Sequence, residues 1–191
     1  MNDINNCSPS NRIWLTSDQH WHHSNIITLA KRPFKDVDEM NYNLIKNYNA
    51  AVKENDEVYF LGDVAWKDIK KAINTLAQLN QSKRYLILGN HDHKNIKDPN
   101  FAKFFNWIKD YHELTYNGKL HIMSHYPFYS WRASGRSSIM IHGHCHSNID
   151  EINKGYYRID VGVDNPICGF APISIDKIDA IMKAKKVEPH W

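Results

Sequence analysis

Tyr85-Leu86-Ile87-Leu88-Gly89-Asn90-His91-Asp92 changes character within two residues, from apolar side chains through a glycine to an amide, an imidazole and a carboxylate. The run Tyr85 to Leu88 reads as a buried strand, and its polar tail falls where such a strand ends. In open α/β sheets, ligands bind at that carboxyl end. Four other places repeat the arrangement. Arg12 to Thr16 runs into Ser17-Asp18-Gln19-His20, Val58 to Leu61 into Gly62-Asp63, Leu120 to Met123 into Ser124-His125, and Ser138 to Ile141 into His142-Gly143-His144-Cys145-His146. Singly, each is weak: an Asp after Gly is usually a turn residue, and a lone His such as His112, His125 or His190 usually serves the surface or a satisfied core. All five follow strands and none falls on a helix face, so they are expected to converge on one site.

The sequence between these runs is helical in period. Met40, Leu44, Ile45, Tyr48 and Val52 form one apolar face of a helix starting near Asp36 or Asp38, and Ile69, Ala72, Ile73, Leu76 and Leu79 form another. Pro99 marks the entry to an aromatic segment, Phe101 to Trp107, expected to be helical. Asn117-Gly118 supplies the positive φ of a type I′ hairpin turn. Tyr157 to Val163 alternates as a strand, Ile173 to Ile175 is a short one, and Ile178, Ile181 and Met182 mark a C-terminal helix. With no repeat, low-complexity tract or linker, the expectation is one α/β domain over residues 1–191, with 1–11 a loose N-terminal arm.

Composition narrows the class further. The net charge of +3 is small, and the Lys-rich segments Lys67 to Lys71 and Lys183 to Lys186 read as solvated helix faces, so charge does not indicate a nucleic-acid partner. Three cysteines, Cys7, Cys145 and Cys168, form no metal-finger spacing and are an odd number. With no apolar leader and no run long enough to span a bilayer, the expected setting is cytoplasmic, with no membrane partner. Twelve histidines stand out, and their positions matter more than their number.

Asp18 and His20 flank one residue, so in an extended segment both side chains point the same way and make half a metal shell. His144 and His146 repeat that spacing. Asp63 after Gly62 puts a carboxylate at a strand end, and Asn90 offers a neutral oxygen where another carboxylate would over-neutralise the site.

Together and in this order, Asp18-x-His20, Gly62-Asp63, Gly89-Asn90-His91-Asp92, His125 and Gly143-His144-x-His146 resemble the calcineurin-like metallophosphoesterase superfamily, from about Arg12 to Ile178. Arg32-Pro33-Phe34 and Ser124-His125-Tyr126-Pro127 are similar to a group of small bacterial and phage phosphoesterases within it. The resemblance implies an α/β sandwich of two central mixed sheets flanked by helices in αββα layers. It implies two divalent transition-metal ions: Asp18, His20 and His146 on the first, Asn90, His125 and His144 on the second, and Asp63 bridging. A shared carboxylate suits two cations roughly 3.5–4 Å apart. The mixed O/N shell without thiolate suits Mn²⁺, Fe, Zn²⁺, Co²⁺ or Ni²⁺, with Mn²⁺ favoured. A hydroxide shared by the metals would attack phosphorus, and His91, steered by Asp92, would serve the leaving oxygen as the catalytic pair. Cys145, between two ligands, is read as pointing into the protein.

Gly62-Asp63-Val64-Ala65-Trp66 lacks the Asp-Arg-Gly of the Ser/Thr protein phosphatases, which argues against phosphoprotein substrates. The expected substrate is a phosphodiester or nucleotide-like ester. The alternatives are a phosphomonoester of a small metabolite, or a silent protein-binding scaffold such as one retromer subunit of the superfamily. Substrate contacts are expected from loops near the metals, with His23, Asn25, Arg32, Tyr126 and Arg132 as candidates. A guanidinium grips phosphate with two hydrogen bonds, and an aromatic ring stacks on a base.

Overall fold

Strand β1 (Ile13–Thr16) shows why the chain builds two cores: Ile13 and Leu15 face one, and Trp14 faces the other. The same alternation runs through β2 (Glu57–Phe60) and β3 (Lys83–Ile87), where Tyr59, Tyr85 and Ile87 point one way and Val58, Phe60 and Leu86 the other. A strand buried on both faces needs a continuous apolar run, as Ile13 to Leu15, Val58 to Phe60 and Tyr85 to Ile87 provide. The computed structural model describes residues 12–187, so the arm expected over 1–11 lies outside the described residues.

Two mixed sheets result. The first has order β4-β3-β2-β1-β9, with β4 (Trp107–Lys109) and β9 (Ile173–Ser174) at its edges; only β9 runs antiparallel to its neighbour. The second has order β5-β6-β7-β8, from β5 (Tyr111–Tyr116), β6 (Lys119–Ser124), β7 (Ile139–His142) and β8 (Arg158–Asp160). Here β5 is antiparallel and β6, β7 and β8 are parallel. Asn117 (φ 48) and Gly118 (φ 75) make the expected tight turn between β5 and β6.

Helices α1 (Ser24–Leu29), α2 (Val37–Ala51), α3 (Ile69–Gln78) and α4 (Pro99–Ala102) follow the first sheet's strands, and their apolar residues fill its outer core. Asp36 starts α2 by accepting the Glu39 N–H, and Asp68 starts α3 by accepting that of Lys71, an N-cap contribution of about 1 kcal/mol each. Between the sheets, Leu15, Tyr59, Ile87, Met123, Ile141 and Ile159 form the second core, joined by Ile175, Ile178 and Met182 of α6 (Ile175–Ala184). The far face of the second sheet, Ile122 and Met140, is covered by Trp131 and Phe128, and α5 (Asp150–Asn153) leads into β8. This is the α/β sandwich that the resemblance implies. No described helix is long and apolar enough to cross a membrane.

One expected element changes type. The aromatic segment is helical only to Ala102, and Trp107 to Lys109 extend as β4. The exposed edge of β3 decides this: Asn106 N–H donates to the Arg84 carbonyl and Leu88 N–H to that of Lys109, so strand pairing overrides local helical preference.

The parallel strands of both sheets end together. Ser17 bridges to Gly162, Val163 N–H donates to the Ser17 carbonyl, and Gly143 N–H donates to that of His125. That stitched edge carries the polar clusters.

Candidate metal centre

Beyond β1, β2 and β7 the chain turns sharply, using residues that rarely do so. Asp18 (φ 59), His20 (φ 50), Asp63 (φ 54), His144 (φ 69) and His146 (φ 45) all have left-handed backbones. For a residue with a Cβ this costs on the order of 1–2 kcal/mol, and the carboxylate or imidazole donors would point elsewhere without it. Backbone bonds between neighbouring loops hold the turns: Asp18 N–H to the Gly62 carbonyl and His20 N–H to that of Asp63, both 3.0 Å. At Gly89 and Gly143 a Cβ would collide with the Asp63 carboxylate and with Ser17 and Asp18, so only glycine lets the loops close this tightly.

The result is two adjoining donor clusters, Asp18, His20 and His146 in one and Asp63, His125 and His144 in the other, each with its ligand atoms within 4.8 Å of one another. Asp63, of the second cluster, also reaches toward the first. Its Oδ2 lies 3.5 Å from His20 Nε2 and 3.6 Å from His125 Nε2, while Asn90 Oδ1 is 3.1 Å from His125 Nε2. All five strand ends therefore meet at one place.

Tautomers are set from behind. His125 Nδ1 donates to the Leu61 carbonyl at 2.7 Å, which leaves Nε2 as the free lone pair facing Asp63 and Asn90. His146 Nδ1 donates to Asp164 Oδ2 at 2.6 Å and aims Nε2 at Asp18. Burial works against charge on His146, but Asp164 and Asp18 outweigh it and lift its pKa above the ordinary value. Asp164 is also buried, yet His146 and Arg32 pull its carboxyl below the usual range.

The residues present fit divalent cations. Both ring nitrogens of His20 are buried without a partner, a costly state for an imidazole unless something else satisfies it. Burial raises the Asp18 carboxyl to about 8 and drives the pKa of His20 down, so the bare cluster resists charge that a cation would stabilise.

The other candidates separate. His91 faces the cleft, about a third exposed, with Nε2 3.9 Å from Asp63 Oδ2 and its ring 4.8 Å from that of Trp66. Asp92 does not steer it. The fully buried Asp92 carboxylate accepts the N–H groups of Asp63 (2.8 Å), Val64 (3.0 Å) and Gly89 (2.9 Å), tying the β2 and β3 loops together. Burial pushes that carboxyl up to about 6, against the pull of those donors.

His23 lines the cleft, its ring stacked on Trp66 at 3.8 Å. Tyr126 sits half-exposed beside the rings of His125 and His144, at 5.0 and 4.9 Å. Arg32 is corrected outright. Its side chain is buried and its donors reach Asp164, the carbonyls of Asp18 and Gln19, and Met40 Sδ, leaving none for a phosphate. Arg132 pairs with Glu113 on the second sheet, away from the cleft lining, and Asn25 is exposed on α1 outside that lining. Sequence reasoning missed Asp164 and Trp66. No local signal pointed to the first, because Arg32 and His146 reach Asp164 only through the fold.

Comparisons with known proteins agree with this architecture. The chain matches the sequence profile of the calcineurin-like phosphoesterases over residues 11–182. It is 37% identical over 181 residues to an uncharacterized protein of Methanocaldococcus jannaschii, covering 92% of this chain and 94% of that one. It is 28% identical over 179 residues to the Gene 66 protein of Mycobacterium phage L5, covering 79% and 86%. Among solved structures, a protein of unknown function from Aquifex aeolicus superposes with a TM-score of 0.68 at 24% identity, over 90% of this chain and 100% of that one, a likeness of fold.

Proposed function

Since the chain belongs to the calcineurin-like phosphoesterase family, hydrolases of phosphoric esters, we propose that it cleaves a phosphodiester or nucleotide-like ester at a centre of two transition-metal ions. Asp18, His20 and His146 would hold the first ion, Asn90, His125 and His144 the second, and Asp63 would be shared. The observation that carries this reading is the position of Asp63 Oδ2, nearly equidistant from His20 Nε2 and His125 Nε2.

Bound cations would supply Lewis-acid charge to the phosphoryl oxygens and lower the pKa of water to about 7. The donor set of oxygen and imidazole nitrogen favours Mn²⁺, with Fe, Zn²⁺, Co²⁺ and Ni²⁺ as the other candidates. The chain's own part is positioning and proton handling. His91, packed against Trp66 and facing the open cleft, would give a proton to the leaving oxygen or steady its charge. Asp92 becomes a positioning residue that fixes the loops of Asp63 and Asn90. An imidazole held at the cleft mouth has no use in a silent scaffold, which supports the hydrolase. A single domain in a cytoplasmic setting belongs to the same proposal, in keeping with the free thiols of Cys145 and Cys168.

The test is a metal count followed by a hydrolysis panel with Mn²⁺, covering monoesters, linear diesters, cyclic nucleotides and pyrophosphates. Close to two ions per chain and turnover of diesters are expected. One ion per chain, or turnover without metal, would overturn the two-metal centre.

A further inference from the structure

The cleft over the donor clusters has two unlike surfaces. Its floor is His20, Asp63, Asn90, His91, His144 and His146, while one wall is Ile26, Leu29 and Ala30 of α1 and the residue after it. Ile26 is 4% exposed and anchors the helix in the core, whereas Leu29 is 73% exposed at the cleft rim. Core packing explains the first and not the second.

Charge is distributed just as unevenly. No Lys or Arg lines the cleft among the described residues. Arg32, three residues beyond Leu29, folds inward and binds Asp164 and the loop carbonyls instead. Chains of phosphates and nucleic-acid backbones are gripped by guanidinium and ammonium groups, and none of the cleft's lining residues carries one, Lys67 being held over the Trp66 ring at 4.9 Å. The cleft, about 230 Å³, has room for a phosphate group over the donors with a substituent against the α1 wall.

We infer that the Ile26–Leu29–Ala30 wall receives an apolar or aromatic substituent of the substrate, which carries a single phosphate group. The inference rests on the hydrolase reading above and adds what the phosphate is attached to. Leu29 is then a specificity-determining residue: it covers the substituent and excludes water from it, and a lining without Lys or Arg disfavours polyphosphates.

The experiment compares kcat/KM on bis(4-nitrophenyl) phosphate and methyl 4-nitrophenyl phosphate, which share a leaving group and differ in the second arm, with ATP as a third substrate. The Mn²⁺-loaded parent should prefer the aryl arm beyond the ratio of the spontaneous rates. Leu29→Asn should cut that preference by about tenfold, Leu29→Met should retain it, and both should bind as much metal as the parent. An unmoved preference in Leu29→Asn, or a higher kcat/KM on ATP than on the aryl diester, overturns the inference. A fully metal-loaded parent that hydrolyses none of the three overturns the hydrolase reading itself, and the wall falls with it.

Discussion

In the first cluster, His146 hands its Nδ1–H to the carboxylate of Asp164, whereas in the second His125 gives the same proton to the neutral carbonyl of Leu61. Asp164 is in turn held by Arg32 through two hydrogen bonds, at 2.7 and 2.9 Å, and Arg32 also grips the carbonyls of Asp18 and Gln19. The first half is thus braced by charge and buried, while the second is braced by backbone, contains the amide Asn90 and leaves His144 exposed. A carboxylate behind an imidazole makes it a more basic ligand than a carbonyl does. Similar donors with different supports therefore make an unequal pair, with the tighter ion expected at Asp18, His20 and His146 and the more exchangeable one at the open side.

Breaking what the halves are proposed to share should have the largest effect. Asp63→Asn should lose both ions and lower turnover by more than about 10³-fold, read by elemental analysis and kcat on a diester. A variant that keeps both ions would end the shared-carboxylate arrangement. His91→Ala should keep two ions and lose about 10²- to 10³-fold in kcat, because it would remove the proposed proton donor and leave the donor clusters intact. Loss of metal there would mean that His91 is a ligand. Asp164→Asn should sharpen the comparison directly, weakening the first ion by about 10- to 100-fold in a Mn²⁺ titration while the second is unchanged. Equal weakening of both would remove the asymmetry. The smallest effect is expected from Arg132→Ala, an exposed residue paired with Glu113, with kcat/KM on a diester changed by less than about twofold.

The convergence of the donors was legible because it depends on a simple regularity: parallel strands end on one edge, and every polar cluster followed an apolar run. Asp92 was misread because adjacency along the chain says little about direction. The turn at Asp92–Lys97 folds its carboxylate back onto the amides of Gly89, Asp63 and Val64, away from the neighbouring ring. Asp164 was hidden for another reason. It lies 132 residues from Arg32 and 18 from His146, so only the fold makes them neighbours. Strand β4 was hidden likewise, since Trp107 to Lys109 is extended only because β3 has an edge to pair.

The left-handed turns at Asp18, His20, Asp63, His144 and His146 have a consequence for anyone who would engineer this chain. Each is a position where glycine or asparagine would relieve the backbone, so selection for heat resistance alone would favour replacing the donors themselves. A stabilised descendant could keep its sheets, helices and both cores and still arrive with an empty centre. In this fold, thermal hardening and chemistry compete for the same five residues.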